Sequence, residues 1–146
     1  MNPALQDSRR PLRRPAERLA DCCWLPRFID KTRSLLQGRL SRSYRLAYGS
    51  AIGVDGYFLR HFGLTRGGFL RAVRSSVDDL AVAQWFLAQP RVSREAIDAW
   101  NRLAPELGAR GNSGRAVFLV VRWFLYPREW RRPSKNMFAA IEQDEA

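Results

Sequence analysis

Apolar residues recur every three to four positions along most of this chain, and the breaks between stripes fall at residues that start or stop helices. The clearest stripe is Leu25, Phe28, Ile29, Thr32, Leu35 and Leu36. Pro26 suits its first turn, where a missing N–H removes no helical hydrogen bond, and Gly38 suits its C-terminal cap. A short helix is expected ahead of it, over 16–22. Residues 41–53 lose the pattern and end in Tyr48-Gly49-Ser50-Ala51-Ile52-Gly53, which reads as a loop. Further helices are predicted over 54–62, stopping at Gly63; from a Thr65 cap through Ser75; from Asp78 or Asp79 through Leu87; and, after Pro90, from Ser93 toward Leu103.

The ends differ. The first dozen residues, rich in Arg and Pro, read as a flexible basic arm (1–12) outside a helical core domain (13–104). Residues 105–146 form a glycine-containing connector and an aromatic, basic C-terminal extension. Within it, 108–114 is a flexible link, and 116–126 is a continuous apolar run read as a buried helix, with a strand as the competing assignment. The last six residues are acidic and expected to fray. The expected fold class is therefore mainly α, a compact bundle of short helices in one domain. A length of 146 residues and a 46% hydrophobic content with 5 Trp, 8 Phe and 4 Tyr suffice for one core.

Net charge is +11 and the pI near 11.1, which favours anionic partners. The surplus is uneven, with eleven cations against four anions in residues 1–45. Lys31 and Lys135 are the only lysines, so an arginine-favouring genome explains the bias as well as a polyanion does. Cys22 and Cys23 are adjacent, which disfavours a disulfide between them and fits a reducing cytoplasm. Ser8-Arg9-Arg10-Pro11-Leu12 lacks the apolar stretch that an export signal needs after it, and no segment approaches the ~20 apolar residues of a membrane span.

At 100° per residue, Arg27, Asp30, Lys31 and Ser34 share the helix face away from Leu25, Phe28 and Ile29. A carboxylate among Arg27, Lys31 and Arg33 holds cations ready for an anionic group. The competing reading is a solvated face laced with ion pairs of roughly 0.2–0.5 kcal/mol each. His61, the single histidine, falls between Tyr57 and Phe58 and reads as a packing residue. It is also the natural group for moving a proton near neutral pH, with Asp55 reachable only through tertiary approach. No metal site is expected, because one His and two adjacent Cys offer no ligand spacing. No cofactor motif is expected either: 108–114 lacks a phosphate-loop ending, and Ser113 lacks a nucleophile-elbow context. Between Trp123 and Lys135, aromatics alternate with Arg128, Arg131, Arg132 and Lys135, a composition that suits nucleic acid, acidic lipid or a buried aromatic anchor with a basic rim.

Arg18-Leu19, Trp24-Leu-Pro-Arg27, Ile29-Asp-Lys-Thr-Arg33, Val54-Asp55, Phe58-Leu59, Phe62-Gly63, Phe69-Leu70, Val82 with Trp85, and Ile97 with Trp100-Asn101 together resemble a bacterial family, the domain of unknown function 5069, over about residues 11–103. The resemblance implies a compact helical cytoplasmic domain without an established activity, and a shared site of Arg27, Asp30, Lys31 and Asp55. This chain has Ile52-Gly53-Val54 where the family pattern carries Cys-Pro-Leu, and its extension beyond about Glu106 departs from that pattern.

The expected function is binding of a small anionic ligand through Arg27, Lys31 and Arg33, positioned by Asp30, with Asp55 and His61 nearby. One alternative is a small acid/base enzyme using Asp30, Asp55 and His61. The other is a basic adaptor in weak association with nucleic acid or an acidic membrane through the arm and residues 128–135.

Overall fold

The computed structural model describes residues 12–51 and 53–107. These form a mainly α fold of six helices and one two-stranded hairpin. In chain order they are β1 (Arg18–Leu19), β2 (Cys22–Cys23), α1 (Leu25–Leu36), α2 (Arg42–Ala47), α3 (Val54–His61), α4 (Arg66–Ser75), α5 (Asp79–Leu87) and α6 (Arg94–Leu103), followed by a 3-10 turn at Ala104–Glu106. No helix among the described residues is long and apolar enough to cross a membrane.

Cap chemistry sets the later helices where the sequence placed them. Thr65, Asp78 and Ser93 each accept a hydrogen bond from the backbone N–H three residues on, at Gly68, Ala81 and Ala96, so each satisfies a donor that the helix start leaves unpaired. Gly38, at φ +69°, closes α1, with its N–H on the Leu35 carbonyl and that of Arg39 on Ser34.

Two expectations fail. Residues 16–22 are not a helix: Arg18 pairs with Cys23 and Leu19 with Cys22 across an Ala20-Asp21 turn whose two residues both have positive φ, the geometry of a tight hairpin. Tertiary partners override helix propensity here. Asn101 accepts from the Cys23 N–H (2.9 Å) and donates to the Asp21 carbonyl (2.7 Å), while Trp100 Nε1 donates to the Cys23 carbonyl (2.9 Å). Residues 41–53 are not wholly loop either, because Ser41 caps α2 through the Tyr44 N–H and leaves 48–51 and Gly53 outside any helix.

The core sits where α1 packs on α4 and α6 packs on β2 and α3. Phe28 stacks on Phe69 with ring centres 4.2 Å apart, and Phe58 meets Phe28, Phe86 and Trp100 at 5.4–5.8 Å. Burial of side chains of this size contributes about 1.5–3 kcal/mol each. Leu25, Phe28, Ile29 and Thr32 supply the α1 stripe as expected, Leu35 lies at its edge, and Leu36 is exposed instead.

The predicted 1–12 arm, the 108–114 connector, the 116–126 helix, the basic residues Arg128, Arg131, Arg132 and Lys135, and the acidic end fall outside the described residues, except for Leu12.

Candidate functional site

The charged residues of α1 divide into two groups on either flank of its buried stripe. Arg27 and Lys31, one turn apart, lie on the flank of Trp24, and Asp30 and Arg33 lie on the other. The inner flank is not the solvated surface that the spacing allowed: Arg27 is 0% exposed and Lys31 4%.

Trp24 starts this arrangement. It precedes α1 with φ +70°, a left-handed backbone that a bulky residue seldom adopts, held by its N–H on the Pro15 carbonyl at 3.0 Å. Its indole Nε1 donates to Asp55 Oδ1 at 2.9 Å, while the second carboxylate oxygen receives Lys31 Nζ at 2.7 Å and the Gly49 N–H at 3.1 Å. Asp55 comes from the first turn of α3, which reaches the 48–51 loop because the next residue is Gly56. A Cβ there would stand 2.2 Å from the Ser50 carbonyl oxygen. With three donors on it, Asp55 has its acceptor sites committed to a buried ion pair.

Both inner cations stand against the same two rings. The Arg27 guanidinium carbon is 5.6 Å from the Trp24 ring centre and 5.9 Å from that of Tyr44, and Lys31 Nζ is 5.5 and 5.7 Å away. Arg27 also donates to the Arg13 carbonyl at 3.1 Å and approaches the Tyr44 hydroxyl at 3.5 Å. Tyr44 is half-buried and belongs to α2, a helix with no buried residue. Sequence spacing does not point to Tyr44, and its only advance sign is the Ser41 cap that starts its helix.

The outer group is built on Arg13, to which sequence spacing gave no role. Its backbone N–H and Nε bond Asp30 Oδ2 at 2.8 and 3.0 Å, Nη2 bonds Asp30 Oδ1 at 2.9 Å, and Nη1 reaches Asp79 of α5 at 2.7 Å. Arg33 holds the other Asp79 oxygen at 2.5 Å. Burial opposes the Asp79 charge, but these two arginines outweigh it and keep the carboxyl below its ordinary range. For Arg13, burial likewise opposes the charge and is outweighed by Asp30 and Asp79, which raise its pKa. Asp30 is thus committed to Arg13, not to Arg27 and Lys31. Of the five expected ligand residues, the structure brings Arg27, Lys31 and Asp55 together and sets Asp30 and Arg33 apart.

His61 Nε2 is 2.7 Å from the Ala96 carbonyl oxygen, and its ring meets Phe62 and Trp100 at 4.7 and 5.5 Å. Cys22 and Cys23 are free and buried. Burial pushes the Cys22 thiol well up and that of Cys23 to about 11, against the nearby Arg18, so neither supplies a thiolate at neutral pH. Among the described residues no three His, Cys, Asp or Glu side chains cluster as a metal site would require.

The family model for a domain of unknown function, DUF5069, matches residues 9–146. The match therefore takes in the segment beyond Glu106, which the narrower likeness over 11–103 left out. No curated protein matches the chain.

Proposed function

We propose that this chain, which belongs to the DUF5069 family, binds a small anion carrying a phosphate or carboxylate group at the inner flank of α1. One observation carries the reading: two cations one turn apart, Arg27 and Lys31, are withdrawn from water beneath Tyr44, the half-buried ring of a helix that itself buries nothing. Removing an ion from water costs several kcal/mol, and apolar residues of similar size serve a core equally well. A cover with so little buried surface opens at small cost. Within the stretch bracketed by Gly38 and Gly49, both left-handed, Leu40 and Tyr48 are buried anchors, and 41–47 between them is then the strap over the cations.

Each inner group has a part in this reading. Arg27 offers a planar fork to the anion, Lys31 a compact charge fixed by Asp55, and Tyr44 a hydroxyl from above. Arg42 and Arg45 lie exposed along the strap and Arg39 just ahead of it, and no acidic residue occurs between Asp30 and Asp55, so the approach is electropositive. The buried free thiols support a reducing, cytoplasmic setting. Acid/base catalysis by Asp30, Asp55 and His61 has less support, because the three engage separate partners: Arg13, Lys31 and the Ala96 carbonyl.

Thermal unfolding with inorganic phosphate, pyrophosphate and citrate tests the proposal. An anion at a hundred times its Kd stabilises by about 2.7 kcal/mol. At least one of the three should raise the wild-type midpoint, and Arg27→Met should abolish the rise whatever its own starting midpoint. No rise with any of the three, or an equal rise in Arg27→Met, would defeat the reading.

A further inference from the structure

From Lys31 to Val77 the chain holds one acidic residue, Asp55, and its carboxylate is buried against Lys31. Cations of the same stretch face water unopposed. Arg39, Arg42, Arg45 and Arg66 are exposed, and none of them forms an ion pair among the described residues. Arg42, Arg45 and Leu46 fall within an arc of about 100° on α2, on the side away from Tyr44, whose ring lies against the inner cations. Arg66 continues this face past the end of the helix: a Cβ on Gly49 would stand 2.9 Å from its Cδ, and its guanidinium carbon lies 5.1 Å from the Tyr48 ring centre.

Leu46 is 74% exposed. A lone exposed leucine is ordinary on a protein surface. This one is flanked by guanidinium groups, on a helix that buries no residue of its own, and takes no part in the core. Cations around a projecting aliphatic side chain suit an anionic bilayer, whose phosphates meet the charges while its interface takes up the leucine. A nucleic acid would use the charges and leave the leucine idle. It would also find no exposed ring here to stack on, since Tyr44 is half-buried and Tyr48 buried.

We infer that the outer face of α2, together with Arg66, seats the chain on a membrane surface rich in anionic phospholipid. Arg42, Arg45 and Arg66 lie at headgroup level, and Leu46 enters between the headgroups. With one leucine and a helix of six residues the seat is shallow and reversible. It uses none of the inner cations of α1 and stands whether or not that site binds an anion.

Co-sedimentation of the full chain with lipid vesicles tests the seat. Vesicles of phosphatidylglycerol mixed with phosphatidylcholine should bring down the wild type at low salt and less of it at high salt, and vesicles of phosphatidylcholine alone should not. Arg42→Gln with Arg45→Gln should weaken binding at least about tenfold, at roughly fivefold for each arginine near an anionic surface. Arg42→Lys with Arg45→Lys, which keeps the charge, should bind as the wild type does. Leu46→Gln should weaken binding about fivefold, and thermal unfolding should stay unchanged in all these variants, because the three side chains are exposed. Arg27→Met should still sediment with the vesicles, which separates this result from that of the anion site. No binding to the anionic vesicles, equal binding to the neutral ones, or binding indifferent to the loss of both arginines would overturn the inference. So would a Leu46→Gln variant that binds vesicles as well as the wild type while the chain holds a duplex oligonucleotide more tightly than either vesicle, since the face would then belong to nucleic acid.

Discussion

One helix carries two charged clusters that look alike in sequence and differ in their relation to water. On the inner flank of α1 the Lys31–Asp55 pair has side chains only 6% and 1% exposed, whereas the outer network of Arg13, Asp30, Asp79 and Arg33 keeps 21–34% of each side chain in solvent. Coulomb attraction is screened in the second case and not in the first. The inner pair therefore holds its geometry at a high cost if either partner is lost, while the outer network ties the 12–15 segment, α1 and α5 together at low stakes. The comparison shows that charge spacing along a helix says which residues are neighbours, and the elements packed on it decide which of them water reaches.

The sharpest way to break this contrast is to remove the inner carboxylate. Asp55→Ala leaves Lys31 buried without its partner and should cost about 3–5 kcal/mol in urea unfolding. Adding Lys31→Met to Asp55→Ala should recover part of that loss, since the Trp24 indole and the Gly49 N–H stay without their acceptor, and a double-mutant cycle of these two substitutions reads the coupling directly. Equal losses in the single and double variants would show that the pair contributes through packing instead.

A second probe leaves both charges in place and disturbs the approach that creates the inner pair. Gly56→Ala drives a Cβ into the Ser50 carbonyl, and the shift needed to relieve it should cost about 1–3 kcal/mol. Smaller still is His61→Phe, which keeps the ring contacts to Phe62 and Trp100 and loses one hydrogen bond, for about 0.5–1.5 kcal/mol in the same assay.

The outer network should give the smallest response, and one that depends on conditions. Asp79→Asn should cost up to about 1 kcal/mol near neutral pH, less in high salt. Because the folded-state pKa of Asp79 lies below its ordinary value of 3.8, its contribution is complete above that value and disappears as pH falls through the lower, folded one. The gap between wild type and Asp79→Asn should accordingly close in strong acid. A gap that stays constant with pH would place the loss in hydrogen bonding, not charge.

Much of the fold was legible because helix caps are local. Thr65, Asp78 and Ser93 announce α4, α5 and α6 through side chains that bond only three residues away. The hairpin was not legible, since its Ala20-Asp21 turn carries no glycine or asparagine and its strands are held by Asn101 and Trp100, some 80 residues on. The site was half legible for the same reason. Spacing grouped Arg27 with Lys31, and the family resemblance brought in Asp55, but the pairing of Asp30 with Arg13 and the covering by Tyr44 arise from segments whose distance along the chain hides their contact.

Amide hydrogen exchange across Arg42–Ala47 tests most directly whether the strap over 41–47 covers the two buried cations and closes on an anion. With pyrophosphate or citrate at saturation, the α2 amides should exchange more slowly than in the free protein, and Arg27→Met should remove that slowing while α5 and α6 keep their own rates. Exchange in α2 unchanged by every anion, or slowed equally in the wild type and Arg27→Met, would contradict it.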